Sequence, residues 1–241
     1  MQRYFAVDDK LNVSEKDKHH IINVMRMKEK EKIEVAFDNK VFLCEIENIT
    51  KNDVEYKVIE ELEFNNELES KVTIAIPLLM EKKLDFIFQK CTELGVYNFI
   101  LYNAKRSKVK IEGKKDKKLD RWNLITKEAA EQSYRNIVPK VDGIYELKDL
   151  VSLDYDTKIV CSTKENEKTI KNMLQNSTNC DRIIIVVGPE GGLDLSEEEF
   201  LNQNGFESIT LGKTILRVET APVFVMSAIK YETLRWRKWT K

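Results

Sequence analysis

The chain has 241 residues and a formal net charge of −1, which allows one large domain or two smaller ones. Its apolar content of 42% supports folded cores and argues against disorder. No apolar run approaches the roughly 18 residues that a membrane-spanning helix needs, and the N-terminus lacks the apolar core of a secretory signal. The four cysteines are far apart and form no C-x-x-C, which indicates reduced thiols. We therefore expect a cytoplasmic protein.

The first 70 residues are typical of a small β-barrel with one helix. Ser14 can cap a helix over residues 14–27, with Asp17 three residues further on. Asp38-Asn39 is a two-residue turn that tolerates positive φ. Strands are predicted over residues 2–5, 32–37, 40–49 and 54–64. The acidic stretch 60–70 resembles a linker, so we predict one domain over 1–70 and a second over 71–241.

From residue 72 onward, apolar strands alternate with helices, which predicts a parallel α/β sheet. The predicted strands cover 72–79, 98–102, 158–161, 182–187 and 208–211. The predicted helices cover 81–94, 120–134, 165–174, 196–202 and a long terminal segment to Trp236. Ser196 is the expected cap of the fourth helix, and Pro222 suits the first turn of the last one. No internal repeat is found.

Two glycine-containing loops near the C-terminus are the most informative feature of the sequence. The first, GPEGG over residues 188–192, directly follows the β-branched run IIIVV. The second, LGKTILRVETA, covers residues 211–221, and the two segments contain four of the eight glycines. Glycine is favoured where the backbone turns sharply or approaches a ligand closely. Two such loops at strand ends predict a ligand held by backbone groups, although GPEGG alone could simply be a strand-to-helix turn.

Phosphate-binding signatures fail in both loops. A Walker A motif would need a glycine five residues before Gly212, where the chain has Glu207. The dinucleotide pattern G-x-G-x-x-G fails because Gly188 is followed by Pro189 and Glu190. Glu190 would also place a carboxylate where a pyrophosphate should bind. A neutral or cationic ligand is therefore favoured over a nucleotide phosphate.

The two loops, at this spacing, resemble the RsmE family, which belongs to the SPOUT class of RNA methyltransferases. Further motifs carry the resemblance almost from end to end: HIINVMR over 20–26, KCTELGV over 90–96, Arg106-Ser107, and EAAEQSYR over 128–135. The resemblance implies a parallel sheet with a C-terminal trefoil knot, preceded by a small PUA/OB-like β-barrel. It also implies a homodimer in which each active site borrows residues from both chains.

The resemblance implies S-adenosyl-L-methionine (SAM) as the cofactor, held by three loops. Backbone groups of Leu211, Gly212 and Leu216 would hold the adenine, and Gly191 and Gly192 would allow close approach of the ligand. The full set of expected cofactor-binding residues is Ser162, Thr163, Gly188, Glu190, Gly191, Gly192, Leu211, Gly212, Ile215, Leu216 and Arg217. No metal is expected, because the His19-His20 pair has no further metal ligands near it in the sequence.

The expected reaction is methylation of N3 of a uridine in the 16S rRNA of the small ribosomal subunit. N3 carries a proton at neutral pH, so the proton must leave and the charge spreads onto O2 and O4. Arg217 is the first choice for stabilising that charge. Glu190 and Glu219 are candidate general bases, although either could instead cap a helix or form an ion pair, for example with Arg217.

Charge is distributed unevenly along the chain, which bears on RNA binding. Residues 1–70 carry 11 Lys/Arg against 17 Asp/Glu, whereas residues 71–150 carry 17 against 11. The excess forms a basic stripe over residues 105–121, which is typical either of a phosphate-binding surface or of a solvated loop. The expected RNA-binding residues are Arg3, Arg26, Lys105, Arg106, Lys108, Lys110, Gln132 and Arg135.

Three alternatives stay open at this point. The chain could be a SPOUT methyltransferase with another RNA target such as a ribose 2′-oxygen, or a non-catalytic factor that binds rRNA during assembly. An unrelated nucleotide hydrolase is disfavoured by the missing phosphate signatures.

Overall fold

The structure is a computed structural model that describes residues 1–109, 113, 115–176 and 181–233. The chain forms two compact units. The first comprises Met1–Glu67 together with Lys127–Val138, and the second comprises Leu68–Thr126 and the chain from Pro139 onward. The first unit thus contains, besides the N-terminal residues, a short segment from the middle of the sequence.

The N-terminal unit contains a four-stranded sheet in the order β1-β2-β3-β4. Its strands are β1 Gln2–Phe5, β2 Lys32–Phe37, β3 Lys40–Ile49 and β4 Val54–Leu62. β1 is parallel to β2, and the other pairs are antiparallel. Asp38 and Asn39 have φ values of 47° and 64°, which confirms the predicted two-residue turn between β2 and β3. The interior is apolar, with Ile33, Val35 and Cys44 fully buried.

The helix of this unit is shorter than predicted and changes type along its length. Ser14 caps α1, Glu15–His19, and Asp17 completes the predicted capping box. The chain then continues as a π-helical segment, His20–Val24, in which the Met25 amide donates to the His20 carbonyl at 2.8 Å. The wider turn ends at Arg26, whose φ is 53°. The helix predicted over 14–27 is therefore confirmed up to Val24, although its second half is π-helical, and is wrong beyond that residue.

The C-terminal unit contains a six-stranded parallel sheet, as the alternation of strands and helices predicted. The strand order is β10-β8-β9-β5-β6-β7. The strands are β5 Lys71–Pro77, β6 Asn98–Asn103, β7 Lys140–Glu146, β8 Thr157–Cys161, β9 Arg182–Val187 and β10 Glu207–Ile209. β5 and β9 lie at the centre, and their near-continuous apolar sequences are buried on both faces.

Helices flank this sheet and supply its two hydrophobic cores. α2, Glu81–Glu93, buries Leu84, Ile87 and Phe88 on one face and is followed by Gly95 at a φ of 102°. The remaining helices are α3 Lys115–Gln132, α4 Leu147–Val151, α5 Ile170–Asn176, α6 Leu195–Gln203 and α7 Thr220–Thr233. The predicted end of the last helix, Trp236, lies outside the described residues. None of the helices described here is both long and apolar enough to cross a bilayer.

Four local predictions were wrong. β7 and α4 were not predicted, because β7 is a partly exposed edge strand interrupted by Gly143, and α4 has only five residues. α5 begins at Ile170 rather than at 165, since the Glu165 carboxylate accepts the amides of residues 166–168 in a turn. Asp194, not Ser196, is the N-cap of α6, and it accepts the Ser196 amide.

The strand order determines where the glycine loops lie. β9 is inserted between β5 and β8, and β10 lies on the far side of β8. In register, Ile209 of β10 pairs with Cys161 of β8, and Cys161 pairs with Val187 of β9. Because all three strands are parallel, the loops after Cys161, Val187 and Ile209 begin side by side at one edge of the sheet. Open α/β sheets bind ligands at this carboxyl edge.

Candidate functional site

The three adjacent loops enclose a cavity of about 530 Å³ within the C-terminal unit. A volume of this size is typical of small-molecule and cofactor sites. The first loop contributes Ser162 and Thr163, and α2 contributes Lys83. The other two loops contribute the predicted residues Gly188, Glu190, Gly192, Leu211, Gly212, Ile215, Leu216 and Arg217, together with Glu219. The structure thus brings together every predicted cofactor-binding residue except Gly191.

The glycines of the 188–192 loop have different roles. A Cβ on Gly188 would lie 2.9 Å from the Leu193 amide nitrogen, so no side chain fits there. Gly192 has a φ of 69°, which favours glycine. Gly191 does not line the cavity, and a Cβ there would meet only Arg106 carbon atoms at 3.6 Å or beyond. The role of Gly191 in close approach of a ligand stays a prediction, and Gly188 is the tightly packed position.

The other two loops are also held in defined conformations. Ser162 is buried, and its hydroxyl accepts the amides of Lys164 and Glu165 at 3.0 and 3.3 Å. Its own amide donates to the Ile209 carbonyl at 2.9 Å, which links the first loop to the end of β10. In the third loop, Gly212 has a φ of 116°, a conformation that a side chain would strain. The cavity wall is thus largely ordered backbone.

Three charged side chains from separate elements meet at the cavity wall. Lys83 Nζ lies 2.8 Å from Glu190 Oε1 and 3.7 Å from Glu219 Oε2. The side chains of Lys83, Glu190 and Glu219 are only 23%, 32% and 20% exposed, so all three are substantially shielded from water. Among the described residues, the buried Glu219 Oε2 has no hydrogen-bond partner. The group therefore contains one strong ion pair and one carboxylate that is incompletely satisfied.

The ion pair changes the acidity of both partners. Burial has the largest single effect and raises the pKa of Glu190. The hydrogen bond and charge of Lys83, a hydrogen bond from the Glu190 backbone amide and the charge of Lys108 together outweigh it, so that pKa lies below its ordinary value. The hydrogen bond to Glu190 raises the pKa of Lys83. At neutral pH Glu190 is consequently an ionised carboxylate, and Lys83 is an ammonium group.

Arg217 lies on the third loop at the cavity and is exposed. In the part of the chain that the structure describes, its guanidinium makes no hydrogen bond or ion pair. Its carbonyl accepts the amides of Thr220 and Ala221 at 2.9 and 3.0 Å, so the backbone is fixed while the side chain is available. The alternative in which Arg217 pairs with Glu190 or Glu219 is not seen among the described residues; Glu190 pairs with Lys83 instead. Ile215 on the same loop is 84% exposed.

Two members of the basic stripe support the second loop rather than facing solvent alone. Arg106 donates to the Gly191 carbonyl at 3.0 Å and to Asp194 Oδ2 at 3.1 Å. The Lys105 amide donates to Glu197 Oε1 at 2.7 Å, and its ammonium donates to the Ser196 hydroxyl at 2.6 Å. Lys105 and Arg106 therefore position the segment that leads from GPEGG into α6, although both remain partly exposed.

The rest of the stripe is divided between paired and open cations. Lys118 pairs with Glu81, and Arg121 pairs with Asp85. Lys108, Lys115 and Lys117 are exposed, and no ion pair is found for them among the described residues. Lys110 and Lys114 lie outside the described residues. The open cations are the ones that can meet phosphate groups.

Arg3 and Arg135, both expected to contact RNA, are instead structural residues of the N-terminal unit. They are only 2% and 3% exposed. Arg3 donates to Glu34 Oε2 at 2.6 Å and to the carbonyls of Tyr134 and Arg135 at 2.6 and 3.0 Å. Arg135 forms an ion pair with Glu67, which belongs to the predicted acidic linker. Both guanidinium groups are buried and bonded to a carboxylate within this unit, which leaves neither available to a phosphate.

Arg26 and Gln132 remain on the surface. Arg26 follows the π-helical segment in the left-handed region, with the exposed Val24 and Met25 beside it. Gln132 is the exposed last residue of α3. These two side chains of the N-terminal unit are therefore accessible to a binding partner.

Lys83 is a charged residue of the cavity that the sequence did not reveal. It lies in the first turn of α2, outside the motifs that pointed to the site, and it resembles the neighbouring Lys82 in sequence context. Only the packing of α2 beside the carboxyl edge of the sheet brings it to the cavity. The residues described include no group of three His, Cys, Asp or Glu side chains suited to a metal ion.

The cavity fits SAM better than a nucleotide phosphate. Leu211, Leu216 and Val218 offer apolar surface for a flat ring, and the backbone of these loops offers polar groups. The carboxylates of Glu190 and Glu219 suit a ligand with cationic groups and would repel a phosphate. These residues could therefore hold SAM, whose sulfonium and amino groups are cationic.

The known proteins that this chain resembles are RNA methyltransferases. Residues 66–230 match the family model described as RNA methyltransferase domain, and residues 13–59 match RNA methyltransferase PUA domain. The chain is 41% identical to ribosomal RNA small subunit methyltransferase E of Bacillus subtilis, over 97% of both chains. 

Two solved structures share the fold. A ribosomal RNA small subunit methyltransferase E from Neisseria gonorrhoeae, bound to S-adenosyl methionine, has a TM-score of 0.85 at 29% identity. A putative methyltransferase from Legionella pneumophila, in complex with the bound cofactor SAM, has a TM-score of 0.87 at 25% identity. Each alignment covers 96% of this chain and 98% of the other. The match of the family model, the identity along nearly the whole chain and the shared two-part fold show that this chain belongs to the ribosomal RNA small subunit methyltransferase E (RsmE) family.

Proposed function

We propose that this protein uses SAM to methylate N3 of a uridine in the 16S rRNA of the small ribosomal subunit. One observation carries the proposal: three loops begin level at the carboxyl edge of β10, β8 and β9 and enclose a cavity with no room for a side chain at Gly188. Family membership and the names of the relatives support the same activity. The uridine N3 position rests on the resemblance to the family.

The cofactor would be held mainly by backbone groups. Leu211, Gly212 and Leu216 are proposed to bind the adenine, and Gly192, which lines the cavity, is proposed to allow the chain to pass close to the cofactor. Ser162, Thr163 and Ile215 complete the lining. When bound, SAM supplies a methyl group on a positively charged sulfur.

The chain's own residues would lower the barrier in two ways. The cavity holds the two reactants in line, which removes much of the entropic barrier to methyl transfer. Arg217, exposed and without a partner among the described residues, is proposed to stabilise the negative charge that develops on uridine O2 or O4. Glu190 and Glu219 are the carboxylates at the cavity that could accept the N3 proton.

Fewer residues are proposed to contact RNA than the sequence predicted. In the C-terminal unit they are the open cations near Lys108, and Lys105 and Arg106 combine positioning of the second loop with partial exposure. In the N-terminal unit they are Arg26 and Gln132. RNA enzymes of this kind act on single-stranded or flipped bases, so the uridine is expected to leave its stack. A homodimer, a cytoplasmic location and a C-terminal trefoil knot are proposed from the resemblance alone.

A direct test combines two assays on the full chain. Isothermal titration calorimetry with SAM should give saturable binding, and methyl label should appear in small ribosomal subunits or in naked 16S rRNA. Absence of binding at millimolar SAM would refute the enzyme and favour a non-catalytic assembly factor. Label in a ribose 2′-O-methyl nucleoside would favour the other methyltransferase.

A further inference from the structure

The group formed by Lys83, Glu190 and Glu219 divides the two candidate bases into different roles. We propose that Lys83 is a positioning residue that engages Glu190 and thereby leaves Glu219 as the carboxylate that accepts the uridine N3 proton. This inference rests on the proposed function. It adds Lys83 to the site and chooses between the two glutamates.

The distances separate the glutamates. Lys83 Nζ and Glu190 Oε1 are 2.8 Å apart, which is a strong charge-assisted hydrogen bond. The 3.7 Å between Lys83 Nζ and Glu219 Oε2 is too long for a hydrogen bond. A single lysine therefore satisfies one carboxylate and leaves the other with an attraction but no donor.

The buried oxygen of Glu219 points to a missing donor. Glu219 Oε2 is buried and has no hydrogen-bond partner among the described residues, although its side chain belongs to the cavity wall. An unsatisfied buried acceptor is unfavourable, so an oxygen of this kind points to a donor that is supplied by something else. An N–H group of a bound ligand would satisfy this oxygen, and uridine N3–H is such a donor.

Glu190 is the weaker base of the two on separate grounds. The contacts of Lys83, together with a backbone hydrogen bond and the charge of Lys108, outweigh burial and lower the pKa of Glu190, so this carboxylate has a reduced affinity for a proton. Its Oε1 is also already occupied. Glu190 is instead suited to attract the cationic part of the cofactor.

The proton-transfer step balances as follows. The N3–H bond breaks and its proton goes to the Glu219 carboxylate, while the N3 electron pair forms the bond to the methyl carbon. The carbon–sulfur bond breaks, and its electron pair remains on the now neutral sulfur. Glu219 later returns its proton to water.

The charged groups that face this site limit the interpretation of pH effects. The positive charge of Lys108 also lowers the pKa of Glu190. The other charged residues at the cavity are Glu165, Lys213 and Arg217. All of them remain in place when Lys83 alone is replaced, so a change in the pH profile can be attributed to the lost ammonium.

The test measures kcat against pH on small subunits, and the Kd for SAM, in Lys83→Met, Lys83→Arg and the control Lys82→Met. Lys82 is an exposed neighbour on α2. Lys83→Met should lower kcat about 100-fold while the Kd changes less than about threefold. The acid limb of its profile should move to higher pH by about one unit, because loss of a nearby cation disfavours carboxylate ionisation. Lys83→Arg should restore most of the turnover, and Lys82→Met should resemble the wild type.

A second pair of variants tests the division of roles. Glu219→Gln should remove the acid limb and lower kcat by about 10²–10⁴-fold, whereas Glu190→Gln should keep the limb. The proposal is overturned if Lys83→Met has wild-type kcat, if its kcat falls with an unmoved acid limb, or if Glu190→Gln loses the limb instead. If Lys83→Met does not fold, the acid limbs of Glu219→Gln and Glu190→Gln still test which glutamate accepts the proton. If the wild type neither binds SAM nor transfers methyl groups, the proposed function fails rather than the role of Lys83.

Discussion

Two arginines of the N-terminal unit and one arginine of the C-terminal unit have opposite surroundings. In the N-terminal unit, Arg3 and Arg135 are buried, each is paired with a carboxylate, and Arg3 also donates to backbone carbonyls. At the cavity of the C-terminal unit, Arg217 is exposed, and no partner for it is found among the described residues. The comparison teaches that residue type alone does not identify a functional arginine. Saturated guanidinium groups stabilise a fold, while available ones can act on a ligand.

The largest expected effect is the loss of stability in Arg135→Met. This change leaves the Glu67 carboxylate buried without its charged partner, which costs about 3–5 kcal/mol. Urea unfolding followed by circular dichroism measures the loss. As a control, Arg121→Met breaks a partly exposed pair with Asp85 and should cost less than about 1 kcal/mol. Equal effects of the two changes would contradict the structural role of Arg135.

Replacing the available arginine should have the opposite signature. Arg217→Ala should lower kcat about 10²–10³-fold, equivalent to about 2.7–4 kcal/mol, because a charge-stabilising donor is lost. The melting temperature should stay close to that of the wild type, since the side chain is exposed. Lys171→Ala, an exposed cation on α5, is the matched control. Unchanged turnover in Arg217→Ala would remove Arg217 from the mechanism.

A pair of glycine variants tests whether tight packing at Gly188 is needed for SAM binding. In Gly188→Ala the new methyl group would meet the Leu193 amide nitrogen at 2.9 Å, so the loop must shift. We expect the Kd for SAM to rise by more than about tenfold, or about 1.4 kcal/mol. Gly191→Ala meets only Arg106 carbons and should change the Kd less than about threefold. Calorimetry that ranks the two variants in the reverse order would refute this account.

The smallest effects are expected on the basic stripe. Lys108→Ala should weaken RNA binding a few-fold and reduce the slope of log affinity against log salt by about 0.7–0.9, as for one lost phosphate contact. Lys118→Ala should change the slope less, because Lys118 already pairs with Glu81. Filter binding of 16S rRNA over a salt series measures both slopes. Identical slopes for Lys108→Ala and the wild type would exclude Lys108 from the phosphate contacts.

The sequence predicted the parallel sheet and two of the cavity loops because both depend on local patterns. β9 is a β-branched run buried on both faces, and the glycines after it mark a turn. β7 escaped prediction, since an edge strand that contains Gly143 and is only partly buried has no clear apolar pattern. The tight packing at Gly188 could not be predicted from the sequence, because it depends on where Leu193 packs.

The charged residues were harder to predict because their roles depend on long-range packing. Arg3 and Arg135 are 132 residues apart in sequence, and only the fold shows that the Arg3 guanidinium binds the Arg135 carbonyl. Lys83 reaches Glu190 across 107 residues. A basic residue in a sequence therefore predicts a charge, but its burial and its partners decide whether that charge binds RNA, holds a fold or serves a reaction.

Methylation of uridine N3 is tested most directly by nucleoside mass spectrometry of small ribosomal subunits that lack the N3 methyl group, after incubation with SAM and the protein. We predict 3-methyluridine at a single 16S rRNA position with the wild-type chain and its near absence with Arg217→Ala. Methylation at a ribose oxygen, or equal yields of 3-methyluridine from the two proteins, would contradict the account.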